Sequence, residues 1–453
     1  MAQITRRTFL RGAAATAGAA ALGGPFLGFQ PPSLDPPDLI FHHGRILTMT
    51  ATQPAAEAIA IASGTIVAVG SNREIQALRG PRTVAVNLQG RALLPGFVDA
   101  HSHRLGDWSL RYANPEAAVQ DALATGWTTI SELFASQDRL GLLTELDAAG
   151  HLPIDVNAYL PINYGFDRFG DWYLAYDPDQ QLSPHVRVAG VKVFIDSGAQ
   201  DEKLLSEPYA NHPGLYGIGF WNQPDLDVAV RAAHDAGFQV AAHTGGDAAH
   251  DLIFNAYAAA LGGAPNAPRH RVEHAMIARD DQVARMAELG LVASIQLSFF
   301  NSDWAPEFAA GLGPDRVAWV GRWRDLLDAG VPTIGSTDAP YGYGTTGPAM
   351  RAIYQAVTRI GETGATPPAW MLSQRISVEE ALRLLTIDAA WGCGEEATKG
   401  SLEPGKLADL VVLSADPTAI DAAGLADVEV LMTMVAGESV FCAPGEHALC
   451  RSA

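Results

Sequence analysis

The chain has 453 residues, 48% of them hydrophobic, and its 30 basic and 50 acidic residues leave a formal charge of −20. That apolar content supplies a large core, which excludes a disordered or fibrous chain, and the length exceeds one average domain. A surface this acidic repels nucleic acid and anionic lipid, so neither is expected as a partner.

The N-terminus carries Arg6-Arg7-Thr8-Phe9-Leu10-Arg11, followed by an alanine-rich apolar stretch at residues 12–24. Paired arginines ahead of a modest apolar run form the pattern of a twin-arginine export signal, with Arg6 and Arg7 as its signature. Residues 1–30 are therefore assigned to a signal, the twin-arginine machinery to the partners, and the periplasm or the exterior to the destination. The run falls short of the ~20 apolar residues of a spanning helix, so no stable membrane anchor is expected.

After a proline-rich linker at 31–37, β patterns occupy residues 39–49, 58–69 and 83–88, with glycines between them as in hairpin turns. Residues 405–413 and 428–441 return to the same style at the other end of the chain. Between these regions, strand-like runs alternate with helical patterns. The strands are expected at 93–100, 128–132, 155–160, 186–195, 239–243, 270–274, 291–297 and 332–336. Helical patterns include 225–236, 247–261, 280–289 and 378–390. Eight such units are the count of a (β/α)8 barrel, whose active site lies at the strand C-termini, whereas a doubly wound sheet would place its ligand at a switch point.

Chemistry-bearing residues fall at or near those strand ends. His101 and His103 follow the first strand and project the same way, roughly 6 to 7 Å apart along the backbone. Lys192 lies within the fourth strand, His243 ends the fifth, His274 ends the sixth, and Asp338 follows the eighth. Neutral imidazoles and a carboxylate suit zinc and similar divalent ions. The simpler readings are a structural histidine pair, a turn cap at Asp338, and a lysine that caps its strand or pairs with Asp196. Glu273 precedes His274 on a strand and so is expected on the opposite face, as a partner of Arg271. Cys442 and Cys450 are close enough in sequence to close a small loop, and Cys393 has no obvious partner.

The order His-x-His, Lys, His, His, Asp resembles the amidohydrolase superfamily over about residues 38–440. Arg271-Val272-Glu273-His274-Ala275 and His243-Thr244-Gly245-Gly246-Asp247-Ala248 are most similar to its N-substituted formamide deformylase branch. The resemblance implies a TIM-type barrel at 93–397 and a small discontinuous β-sandwich built from 31–92 and 398–453. It implies one or two divalent ions, with zinc expected, held by His101, His103, His243, His274 and Asp338. It also implies a carboxylated Lys192 that bridges two ions. The chemistry implied is cleavage of a carbon–nitrogen bond, in an amide or cyclic amide, by metal-bound hydroxide with Asp338 as general base and acid.

Two departures from that branch bear on the substrate. Only 23 residues separate His103 from Trp127, where the branch often has a long insertion, and Asp196-Ser197-Gly198-Ala199 replaces its usual Asp-Gly-Ser-Leu. Trp108, Tyr164, Phe299, Phe300, Trp304, Tyr341 and Tyr343 fall in expected loops at the barrel mouth and suggest an apolar or aromatic pocket for a small molecule. The same ligand set also serves lactone or phosphotriester hydrolysis and deamination, and a barrel that lost turnover would act as a binding protein. The sequence leaves homo-oligomerisation open.

Overall fold

Gly96 divides the apolar run 93–100 between two sheets. In the computed structural model, which describes residues 36–342 and 347–450, Ala92–Pro95 belongs to a small sheet and Phe97–Ser102 opens the barrel. A Cβ at Gly96 would collide with the Thr128 side chain, so glycine is needed where the chain passes this close to the next strand. Arg6 and Arg7 lie outside the described residues, as does Tyr343.

Ala92–Pro95 pairs antiparallel with Leu410–Leu413, with Leu410 opposite Pro95, and parallel with Arg45–Leu47. Val430–Val435 and Glu438–Cys442 extend this sheet on one side, and Ala55–Ala56 extends it on the other. A second sheet runs in the order Thr65–Gly70, Ala58–Ala62, Leu39–His42 and Val84–Asn87. Phe41 and Ile59 of that sheet share a buried cluster with Leu93, Val412 and Met432 of the first, which makes the pair a sandwich contributed by both ends of the chain. Cys442 and Cys450 form a disulfide, and Cys393 is a buried thiol.

Eight parallel strands make the barrel: β1 (Phe97–Ser102), β2 (Trp127–Glu132), β3 (Asp155–Pro161), β4 (Val186–Phe194), β5 (Gln239–His243), β6 (Arg271–Glu273), β7 (Val292–Gln296) and β8 (Thr333–Ser336). Each pairs with the next along the chain, and two main-chain bonds join the ends of β1 and β8 at the mouth. Asp338 N donates to His101 O at 2.8 Å, and His103 N donates to Ala339 O at 2.7 Å. The sheet is thus closed on itself where its polar residues gather.

The covering helices follow their local signals. Gln223–Asp235 starts after Asn222, whose side chain accepts from Asp225 N, and it buries Leu226, Val230 and Ala233 on one face. Asp247–Leu261 and Asp280–Leu289 end at Gly262 and Gly290, both left-handed. The helical pattern 378–390 breaks into Val378–Leu384 and Ile387–Gly392, because Thr386 leaves the helical region.

On the face of the barrel opposite the mouth, the buried Lys399 ammonium donates to Asp155 at 2.5 Å and to Thr129 at 3.1 Å, with Glu395 at 3.3 Å and Asp409 at 3.8 Å. This charge cluster ties the start of β3 to the segment that returns to the sandwich. Losing the lysine would leave buried carboxylates uncompensated. No helix among the described residues is long and apolar enough to cross a membrane.

Candidate active site

The ends of β1, β4, β5, β6 and β8 bring His101, His103, Lys192, His243, His274 and Asp338 into one buried group. Ligand atoms of His101, His274 and Asp338 all lie within 4.8 Å of one another. Asp338 Oδ1 is 3.2 Å from His101 Nε2 and 3.5 Å from His103 Nε2. The His274 ring centroid is 4.9 Å from that of His101 and 4.4 Å from that of His243. Lys192 Nζ sits 4.9 Å from the centre of the Phe194 ring.

Glu273 reaches this site too, although strand alternation assigns it to the other face from His274. The strand ends at Glu273, and His274 and Ala275 adopt left-handed backbone with φ of 74° and 42°. That turn swings His274 back to the mouth, so neighbouring residues both point inward. Glu273 is indeed paired with Arg271, at 2.7 and 3.0 Å, and its Oε2 also lies 2.6 Å from His101 Nδ1. This second role carries no signal in the sequence, where strand alternation places Glu273 on the outer face.

Further supports come from single residues that carry no motif. Gln296 Oε1 is 2.8 Å from His274 Nδ1, and Glu132 Oε1 is 3.6 Å from His103 Nδ1. Asp196 accepts from the main chain of Leu204, Gly245 and Gly246 at 2.8–2.9 Å, which fixes the loop after His243. It is therefore committed to backbone donors, and the expected alternative of a Lys192–Asp196 pair is not formed.

The donor set fits a divalent metal. His101 Nε2, His243 Nε2, Asp338 Oδ1 and Lys192 Nζ are all buried without a hydrogen-bond partner, a costly arrangement that a shared cation would relieve. Burial holds the imidazoles neutral: His103 and His274 are lowered to about 3, and His101 and His243 fall well below the usual histidine value. Neutral imidazole is the ligand form. Burial also lowers the Lys192 ammonium to about 8 and raises the Asp338 carboxyl well above the ordinary range. A lysine at that value is deprotonated often enough near neutral pH to act as a nucleophile.

A cavity of about 750 Å³ opens above the group, lined among others by Tyr164, Phe299, Trp304 and Tyr341. Trp108 packs against the barrel core instead, and Phe300 is fully buried beneath Phe299 and Trp304. Phe134 and Phe194 join the lining from the ends of β2 and β4.

A closed parallel barrel with histidines and a carboxylate at its C-terminal mouth defines a (β/α)8 hydrolase-type architecture. The chain belongs to the amidohydrolase family, whose profile matches residues 113–441. The twin-arginine translocation signal matches residues 3–23, which addresses the chain to export. Among curated relatives, YtcJ of Bacillus subtilis (strain 168) is 31% identical over 260 residues, covering 57% of this chain and 48% of YtcJ. The N-substituted formamide deformylase of Arthrobacter pascens is 30% identical over 341 residues, covering 73% of this chain and 60% of that enzyme. The chain thus spans about half to three-fifths of the length of these relatives. In fold it is similar to a metal-dependent hydrolase from Pyrococcus horikoshii OT3, with a TM-score of 0.73, 21% identity, and coverage of 85% of this chain and 99% of that one.

Proposed function

We propose that this chain is an exported, metal-dependent hydrolase that cleaves the carbon–nitrogen bond of an amide or cyclic amide. The observation that carries the reading is the convergence of buried, unpartnered ligand atoms from His101, His243, Asp338 and Lys192 at the barrel mouth. Family membership and the deformylase relative, named for its action on N-substituted formamides, support the carbon–nitrogen chemistry.

His101, His103, His243, His274 and Asp338 would hold one or two divalent ions, with zinc suited to this nitrogen and oxygen set, and Lys192 as a carbamate would add a further oxygen ligand. Such an ion supplies a Lewis acid that polarises the amide carbonyl and makes a water acidic near neutral pH. Asp338 takes the proton of the attacking water through Oδ1 and returns it to the departing nitrogen, which leaves as a neutral amine. Glu273 and Gln296 hold the rings of His101 and His274 so that Nε2 of each faces the centre.

The test is a screen of zinc-loaded mature protein against amides, cyclic amides, lactones and phosphotriesters. Turnover of amides or cyclic amides is expected. Turnover of phosphoesters alone overturns the reading.

A further inference from the structure

The cavity above the histidines has two apolar walls on opposite sides of the barrel. On the side of β2, β3 and β4, Phe134, Tyr164 and Phe194 meet edge to face, with ring centroids 5.5 to 6.1 Å apart, and Phe194 stacks on His243 at 5.4 Å. On the side of β6 and β7, Phe299 stacks on His274 at 6.4 Å and packs on Trp304 at 4.9 Å, with Met276 beside them in the lining. The histidine cluster lies between the walls.

The charged residues of the lining are already committed. Among the described residues lining the cavity, Arg139 is the one arginine or lysine. It pairs with Asp107, donates to Phe134 O at 3.2 Å and lies over the Phe134 ring. Asp107 also accepts from Tyr341 OH at 3.0 Å, and Asp196 is occupied by three main-chain donors. Outside the group of proposed metal ligands, a carboxylate on the substrate would find no unpaired cation among the described lining residues, and a substrate ammonium would find no unpaired acid there apart from Asp338. A volume of about 750 Å³ lies within the range of pockets for drug-sized ligands and far exceeds a single formyl group.

We infer that the substrate is an uncharged amide bearing apolar, preferably aromatic, groups on both the acyl and the amine side of the scissile bond. The inference rests on the proposed carbon–nitrogen chemistry for its orientation, one arm against each wall, but the walls select neutral apolar ligands whichever bond breaks. Free amino acids, dipeptides and other carboxylate-bearing amides are disfavoured, and a simple formamide leaves one wall uncovered.

Three probes test this: N-benzylbenzamide, with two apolar arms; N-benzylformamide, with one; and N-benzoylglycine, with a carboxylate in place of an arm. Their affinities are measured by calorimetry on zinc-loaded Asp338→Asn protein, and their hydrolysis is measured on the wild type. The two-armed amide is expected to bind at least about tenfold more tightly than either other probe, since covering an aromatic ring is worth that much. Phe134→Ala and Phe299→Ala should each reduce that preference about tenfold. Equal or tighter binding of N-benzoylglycine or N-benzylformamide overturns the inference, as does a preference that survives both substitutions. If the binding order holds but the wild type hydrolyses none of the three, the pocket assignment stands and the carbon–nitrogen reading falls.

Discussion

Glu273 Oε2 lies 2.6 Å from His101 Nδ1, on a carboxylate that Arg271 also grips through two donors. The contact places the His101 proton on Nδ1 and leaves the Nε2 lone pair facing Asp338, 3.2 Å away. A buried Arg–Glu pair in the barrel thereby sets the tautomer of a candidate metal ligand.

Replacing Glu273 with Gln should therefore act twice. Zinc affinity is expected to fall about 10- to 100-fold as His101 loses its orienting carboxylate. Stability should fall by about 3–5 kcal/mol, because the Arg271 guanidinium is left buried without its counter-charge. Competition with a chelator and thermal unfolding measure the two effects; wild-type zinc affinity would show that the contact does not tune the ligand.

Asp338→Asn removes the proposed proton acceptor and keeps an oxygen near the centre. Turnover is expected to drop by about 10²- to 10⁴-fold while a large part of the metal is retained. Steady-state rates read beside metal content separate the effects. Unchanged turnover would remove Asp338 from the mechanism.

Lys192→Ala tests the proposed carbamate ligand. The variant should hold fewer metal ions than the wild type, and added short-chain carboxylates should restore part of the loss by entering the vacated space. Elemental analysis with and without acetate provides the check. A full metal complement in the unsupplemented variant would contradict a carbamate at this position.

His250 supplies a pH dependence outside the candidate metal site. It is fully buried, its Nδ1 lies 3.0 Å from Ile277 O, and burial lowers its pKa to about 4. The unfolded chain takes up this proton near 6.5 and the folded one only near 4, so stability rises with pH across that window and is lost on acidification through it. The full difference is worth about 3 kcal/mol. His250→Asn, which retains a donor for Ile277 O, should flatten the pH dependence of urea unfolding between these values; a slope identical to that of the wild type would contradict it.

The parts of this molecule that were legible in sequence are those encoded locally. His101, His103, His243, His274 and Asp338 each lie at or just past the end of a short apolar strand, and strand ends are where a barrel collects its chemistry. The pairing of Glu273 with Arg271 was legible, but its inward direction was not, because alternation holds only while the strand continues and the left-handed turn at His274 is invisible in a residue pattern. Glu132, Asp196 and Gln296 are isolated polar residues, distinguishable only once folding brings them beside a histidine. The division of the run 93–100 is not legible in sequence, because Ala92–Pro95 pairs with Leu410–Leu413, a partner more than 300 residues away. Trp108 and Phe300 share loops with true lining residues and differ from them only in the direction of packing.

Whether the barrel mouth holds catalytic metal is read from metal content per chain, by elemental analysis of mature protein purified with bicarbonate and without chelators. About two equivalents of zinc or a similar ion are expected, with amide hydrolysis lost on chelation and regained on adding the metal back. Protein that contains no divalent metal and takes up none from added zinc would contradict this expectation.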